Sequence, residues 1–169
     1  MNGRGMLQHT DDLNNLLAES HRREELTPDC TFEWVAEGRI RLTTLRSTDR
    51  VTIDAWYDYC VQFREQWKPT EPPLFLLVNI TTAIEELTPY ARQRSVDIAR
   101  FRPEIPTYCA VLLPESLIGQ IIKLYIWSIT TFSPNLKVQV FFDFEASLQW
   151  LMSHVEKHSQ AHGGEVGVI

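Results

Sequence analysis

The stretch LFLLVNITTAIEELTPYARQR, residues 74–94, decides the fold. Residues 74–80 are apolar at every position but Asn79. A short, nearly unbroken apolar run of this kind fits a strand buried on both faces. The chain then turns polar through Thr81, Thr82, Glu85 and Glu86. Thr88 followed by Pro89 marks a helix start. The threonine hydroxyl can accept from a free backbone N–H, and proline at the first helical position lacks only an N–H that has no partner there. A buried strand that passes through a loop into a helix belongs to an α/β architecture with parallel crossovers.

The flanking sequence agrees. Upstream, TFEWVAEGRIRLTTL alternates, with Phe32, Trp34 and Ala36 on one face, and Glu37-Gly38 sits where a hairpin would turn. Ile53, Trp56, Cys60, Phe63 and Trp67 then recur at steps of three and four, the stripe of an amphipathic helix. Thr52 is its expected cap, Asp54 suits the positive end of its dipole, and Pro69, Pro72 and Pro73 stop it. Downstream, the helix opened by Thr88 must end near Arg102, before Pro103 and Pro106. Residues 108–113 read as another buried strand, 116–132 as a helix and 136–142 as a strand. Asp143 caps a last helix with Phe144, Leu148, Leu151 and Val155 on one face. The expected order is ββαβαβαβα: a mixed sheet with an antiparallel opening pair and right-handed crossovers.

At 169 residues one domain is expected. A polar N-terminal arm, partly ordered, should occupy 1–28, the domain 29–158 and a flexible tail 159–169. The net charge of -6 disfavours nucleic acid. No apolar run is long enough to span a membrane, and the N-terminus lacks the apolar stretch of a secretory signal. The three cysteines, Cys30, Cys60 and Cys109, are far apart and fit neither a disulfide framework nor a zinc pattern, so a reducing cytoplasm is expected. Asn79-Ile80-Thr81 matches a glycosylation sequon but falls at the end of a buried strand.

The hairpin FEWVAEGRIRLTTL, the helix piece IDAWYDY, the strand PLFLLVNI, the helix opening LTPYARQR and the closing VQVFFDFEASLQWL come in an order that resembles the SpoIIAA-like (STAS-like) domain family over residues 31–157. The closing piece is the most specific: a strand ending in two aromatics, an acidic cap, an alanine and a Trp-Leu pair. The resemblance implies a SpoIIAA/STAS-like mixed sheet with βα superhelical crossovers, and a bacterial, non-enzymatic protein. Members include anti-sigma-factor antagonists and transporter regulatory domains, with apolar-ligand carriers of related architecture. In the phosphorylated antagonists the loop after the third strand resembles Asp-Ser-Ser/Thr-Gly. Here it is Asn79-Ile80-Thr81-Thr82-Ala83, without the aspartate or the glycine. Thr81 and Thr82 are therefore candidates for a regulatory loop, although Glu85 and Glu86 would repel a phosphate. The alternative is a loop whose threonines only satisfy backbone groups. Arg92 occupies a position where the resemblance also implies an arginine. With Arg94 it makes a candidate anion or partner surface, against the plainer reading of a solvated, ion-paired face.

No catalytic residue is expected. Cys60 and Cys109 fall on buried faces, and four of the five histidines lie in or beside the terminal segments. His154, His158 and His162 share a helix face at four-residue spacing, but no further ligand set is visible, so neither a metal nor a cofactor is expected. The helix over 116–132 is apolar nearly all round. Ile118, Ile121, Ile122, Tyr125, Ile129 and Phe132 make one core stripe, which leaves Leu117, Leu124, Ile126 and Trp127 as candidate interface residues. The expected function is a regulatory or protein-interaction domain acting as a homodimer, with a regulatory protein partner. The alternative is a carrier or sensor of a small apolar ligand bound between the helices and the sheet.

Overall fold

A computed structural model describes residues 23–68, 70–81, 87–116, 120–123, 125–126 and 133–163. One six-stranded sheet runs in sequence order, β1 to β6. Its strands are β1 (Arg23–Thr27), β2 (Cys30–Val35), β3 (Ile40–Leu45), β4 (Leu74–Asn79), β5 (Thr107–Leu112) and β6 (Leu136–Phe141). The first three pair antiparallel, and β3 to β6 pair in parallel. Helix α1 (Arg50–Gln66) joins β3 to β4, α2 (Pro89–Arg100) joins β4 to β5, and α3 (Phe144–Gly163) follows β6. Residues 120–123 and 125–126, between β5 and β6, are helical. The fold is thus α/β with a mixed sheet, as the sequence led us to expect, with one strand more.

That extra strand is β1, inside the segment expected to be an arm. It pairs with β2 through Arg23–Glu33, Glu24–Phe32 and Glu25–Thr31, and it has no apolar alternation to announce it. The other boundary also differs: α3 continues past residue 158 and ends at Gly163.

The first helix is capped earlier than expected. Asp49, not Thr52, is the N-cap, and its Oδ1 accepts from the Thr52 N–H at 2.8 Å. Ser47 and Thr52 hydrogen-bond its carboxylate and hold it below the usual range. A carboxylate accepts more strongly than a hydroxyl, so it takes the capping position. Thr88 caps α2 as expected, accepting from Ala91 N–H at 3.2 Å with Pro89 in the first turn.

Strand alternation sorts the core into two layers. Phe75, Leu77, Tyr108 and Ala110 face α3, against Leu148, Leu151 and Val155. Val78, Ile80, Cys109 and Val111 face the other side, where Trp56, Tyr59 and Cys60 of α1 pack with Leu87, Ile122 and Ile126. Parallel strands added in one direction by crossovers of one hand put every crossover on the same face. The crossovers crowd that face, and among the described residues α3 covers the opposite one.

Candidate functional site

The crossover face is not filled. A cavity of about 160 Å³ lies between the sheet and the helices. Leu76 and Val78 of β4, Cys109 and Val111 of β5 and Val138 of β6 form its floor. Trp56, Tyr59 and Phe63 of α1, Ala91 and Ile98 of α2, and Tyr125 and Ile126 form the other walls. The floor side chains are mostly small. At one end the aromatics pack on one another: Phe32 stacks on Tyr59 at 4.1 Å, and Trp34 against Phe63 at 5.9 Å and Phe63 against Trp67 at 5.3 Å meet at a tilt. Rings that satisfy each other hold α1 off a floor of small residues, and space remains between. Such apolar space of comparable volume admits a molecule of about benzene size.

The cavity wall carries two buried arginines. Arg41 of β3 is 3% exposed and Arg64 of α1 is 5% exposed. Arg64 is provided for: Nη2 donates to Thr107 Oγ1 at 3.3 Å and Nη1 to the Phe101 carbonyl at 3.5 Å. Arg41 is enclosed by rings instead. Its guanidinium carbon lies 3.7 Å from the Phe63 centroid, 4.2 Å from Tyr59, 4.8 Å from Phe32 and 5.5 Å from Trp34. Ring faces attract a cation but accept no strong hydrogen bond. Accordingly, Arg41 Nε and Nη2 have no hydrogen-bond partner among the described residues. Burial lowers the pKa of both arginines, yet a guanidinium starts so high that it stays charged at neutral pH. Glu24 raises the Arg41 pKa from nearby, while its carboxylate hydrogen-bonds with Tyr59. A second, more polar groove of about 560 Å³ lies at the start of β4, and Arg41, Phe63, Leu74 and Leu76 are walls of both.

Sequence reasoning passed over Arg41. The signal was present: with the hairpin on one side and the buried run at 74–80 on the other, β3 is an inner strand, so Arg41, at its second position, has a paired strand on each side.

Apart from Ile126, which is in the cavity wall, the expected site residues that the structure describes lie elsewhere. Thr81 donates its hydroxyl to Asn79 Oδ1 at 2.8 Å, and its N–H donates to the same oxygen at 3.1 Å. This is the capping and connecting arrangement; Thr82 lies outside the described residues. Arg94 bonds Tyr90 through Nε at 3.1 Å, pairs with Asp54 at 3.6 Å and Asp97 at 3.9 Å, and covers the Tyr57 ring at 4.4 Å. It is a satisfied surface side chain. Arg92 lies 6.0 Å from the Tyr125 ring centroid, and its carbonyl accepts from the Tyr125 hydroxyl at 2.7 Å. Of the candidate interface residues, Leu117, Leu124 and Trp127 lie outside the described residues. Ile126 packs against the core, while Ile121, expected on the core stripe, is 68% exposed. A helix apolar on every side gives no signal of its phase.

Burial pushes the thiols of Cys30, Cys60 and Cys109 up to about 12, which leaves them protonated and unreactive at neutral pH. Cys60 and Cys109 keep some accessible surface because they line the cavity. On the opposite face, His154 packs on Tyr108 at 4.4 Å and on Trp150 at 4.8 Å, and His158 Nε2 hydrogen-bonds the Tyr108 hydroxyl at 3.2 Å. Among the described residues, no group of three or more His, Cys, Asp or Glu is placed to hold a metal ion.

His154 yields a pH prediction. Burial comes first, then Lys157, Lys137 and His158, in lowering its pKa. The unfolded chain therefore binds this proton at a higher pH than the folded one, so stability rises with pH through this range. The His154 contribution is complete above the unfolded value of about 6.5 and falls away below it. Urea midpoints should drop as the pH falls below about 6.5, and His154→Phe should flatten that part of the profile. An unchanged slope in the variant would place the titration elsewhere.

No family model, no curated protein and no solved structure matches the chain.

Proposed function

We propose that this chain is a non-enzymatic binding domain of SpoIIAA/STAS-like type that carries or senses a small apolar ligand held between α1, α2 and the sheet. The cavity carries this reading. It is lined almost wholly by apolar side chains and lies beneath the crossover elements, with a buried charge at its wall. A cavity costs dispersion contacts and stability, and a ligand that fills it recovers both. The SpoIIAA-like part of the reading rests on the order of sequence motifs over residues 31–157. The strand order favours the same location. Sites of open α/β sheets collect where strand order reverses, and β3 to β6 run without a reversal.

Native mass spectrometry on the full chain, isolated from its host without denaturation, tests the reading. The expected spectrum has a stoichiometric small-molecule adduct that organic solvent releases. A protein at its bare polypeptide mass contradicts it.

A regulatory homodimer is the second reading, and the exposure of Ile121 favours it. An isologous dimer would cover such a side chain with the same patch of a second subunit. The same spectrum separates the two readings: a dimer mass without an adduct supports the homodimer, and a monomer with one supports the carrier.

A further inference from the structure

Thr43 narrows the ligand class. Alternation along β3 sends Ile40 and Leu42 to the α3 face and Thr43 to the crossover face, where it is part of the cavity wall. Thr43 pairs with Phe32 of β2 and Val78 of β4, so a strand flanks it on each side. The residue is 5% exposed, and its hydroxyl makes no hydrogen bond to a described residue. The Thr31 hydroxyl and Arg41 Nε and Nη2 also lack partners among the described residues, but those atoms are fully enclosed. The Thr43 hydroxyl is not enclosed, and the space it meets is the cavity. The other polar walls are engaged. Ser95 Oγ donates to the Ala91 carbonyl at 2.8 Å, the Tyr125 hydroxyl donates to the Arg92 carbonyl at 2.7 Å, and Tyr59 hydrogen-bonds with Glu24. Arg64 donates to Thr107 and Phe101, and Thr48 is engaged as well. A buried hydroxyl without a partner costs stability that a ligand oxygen would restore.

We infer that the cavity takes a small uncharged molecule with one oxygen, a hydroxyl or a carbonyl, hydrogen-bonded to Thr43, and an apolar body along Val78, Cys109 and Val138. This rests on the binding-domain reading above and names the class of its ligand. A threonine hydroxyl both donates and accepts, so it serves either kind of oxygen. Charge of either sign is disfavoured. An anion would enter apolar space with no guanidinium edge turned to it, since the unpartnered atoms of Arg41 are enclosed and Arg64 donates to Thr107 and Phe101. A cation would lie beside two buried guanidinium groups. The rest of the wall is apolar and selects a hydrocarbon remainder. At about 160 Å³ the space fits a body of about the size of a benzene ring.

Calorimetric titration of the full chain with phenol, toluene and benzoate separates head from body, because the three probes share a ring. Thr43→Val keeps the side-chain shape and removes the hydroxyl. It should weaken phenol binding about five-fold, as expected for one neutral hydrogen bond, and leave toluene binding unchanged or tighter. Thr43→Ala should lower the ratio of phenol to toluene affinity in the same way. Thr43→Ser, which retains a hydroxyl, should keep that ratio. The wild-type chain should bind benzoate at least about ten-fold more weakly than phenol, because the carboxylate would lose its water without gaining a partner. Circular dichroism and a melting curve establish that each variant is folded. An unchanged phenol-to-toluene ratio in the variants without a hydroxyl, or phenol failing to bind where toluene binds, overturns the Thr43 assignment and leaves the cavity reading standing. Benzoate binding as tightly as phenol overturns the uncharged class. If neither phenol nor toluene binds the wild-type chain, the binding-domain reading itself falls.

Discussion

Arg41→Met raises the midpoint of thermal unfolding. The native guanidinium has surrendered its hydration, and two of its donors have gained no hydrogen bond in return. Taking an ion out of water costs several kcal/mol after relaxation, against about 0.5–2 kcal/mol for a well-placed cation–π contact. The four rings around Arg41 share one guanidinium, so their attractions overlap and do not add in full. Methionine keeps most of the length, packs against aromatic rings and has no charge to desolvate. The expected gain is about 1–3 kcal/mol in chemical denaturation. A loss of similar size would mean that the aromatic enclosure, or Glu24, compensates the charge in full.

Leu77→Ala acts in the opposite direction and is the larger of the two effects. Leu77 is fully buried in the middle of the sheet and faces α3, on the side away from the apolar cavity. Its truncation removes apolar contacts and opens a void that neighbouring strands cannot close, at a cost of about 2–5 kcal/mol. The adjacent Val78 points to the cavity. Val78→Ala only enlarges space that already exists, so its cost should stay near about 1 kcal/mol. Urea unfolding of the two variants compares the two faces of one strand. Equal losses would mean that the crossover face is as tightly packed as the other.

The contrast between faces also explains how much the sequence disclosed. The apolar run at 74–80, the Thr88-Pro89 start and the stripe from Ile53 to Trp67 placed β4, α2 and α1 correctly, because burial on both faces or on one stripe leaves a strong periodic trace. The β1 strand leaves none. It is an edge strand held by backbone pairing to β2, and its composition, REELT, is that of a solvated segment. The Asp49 cap was missed because Ser47, Thr48, Asp49 and Thr52 all offer a capping oxygen, and only the geometry decides among them. The candidate site was less legible still. A cavity is a difference between side-chain volumes on elements distant in sequence, and no local pattern records it. Arg41 was the available clue, a cation at the second position of an inner strand. Thr81 and Arg94, chosen for chemistry at a loop and on a helix face, prove to have their partners within the fold.

Methyl-resolved NMR titration of the full chain with 1-hexanol tests the central claim most directly, because it reports occupancy of the cavity without relying on the charge of Arg41. The account predicts saturable shifts in the methyl groups of Val78, Val111, Ile122 and Val138, which line the cavity. Leu148, Leu151 and Val155, buried beneath α3 on the opposite face, should hold their positions. Shifts centred on the α3 face, or no saturable shift at any cavity methyl, would contradict it.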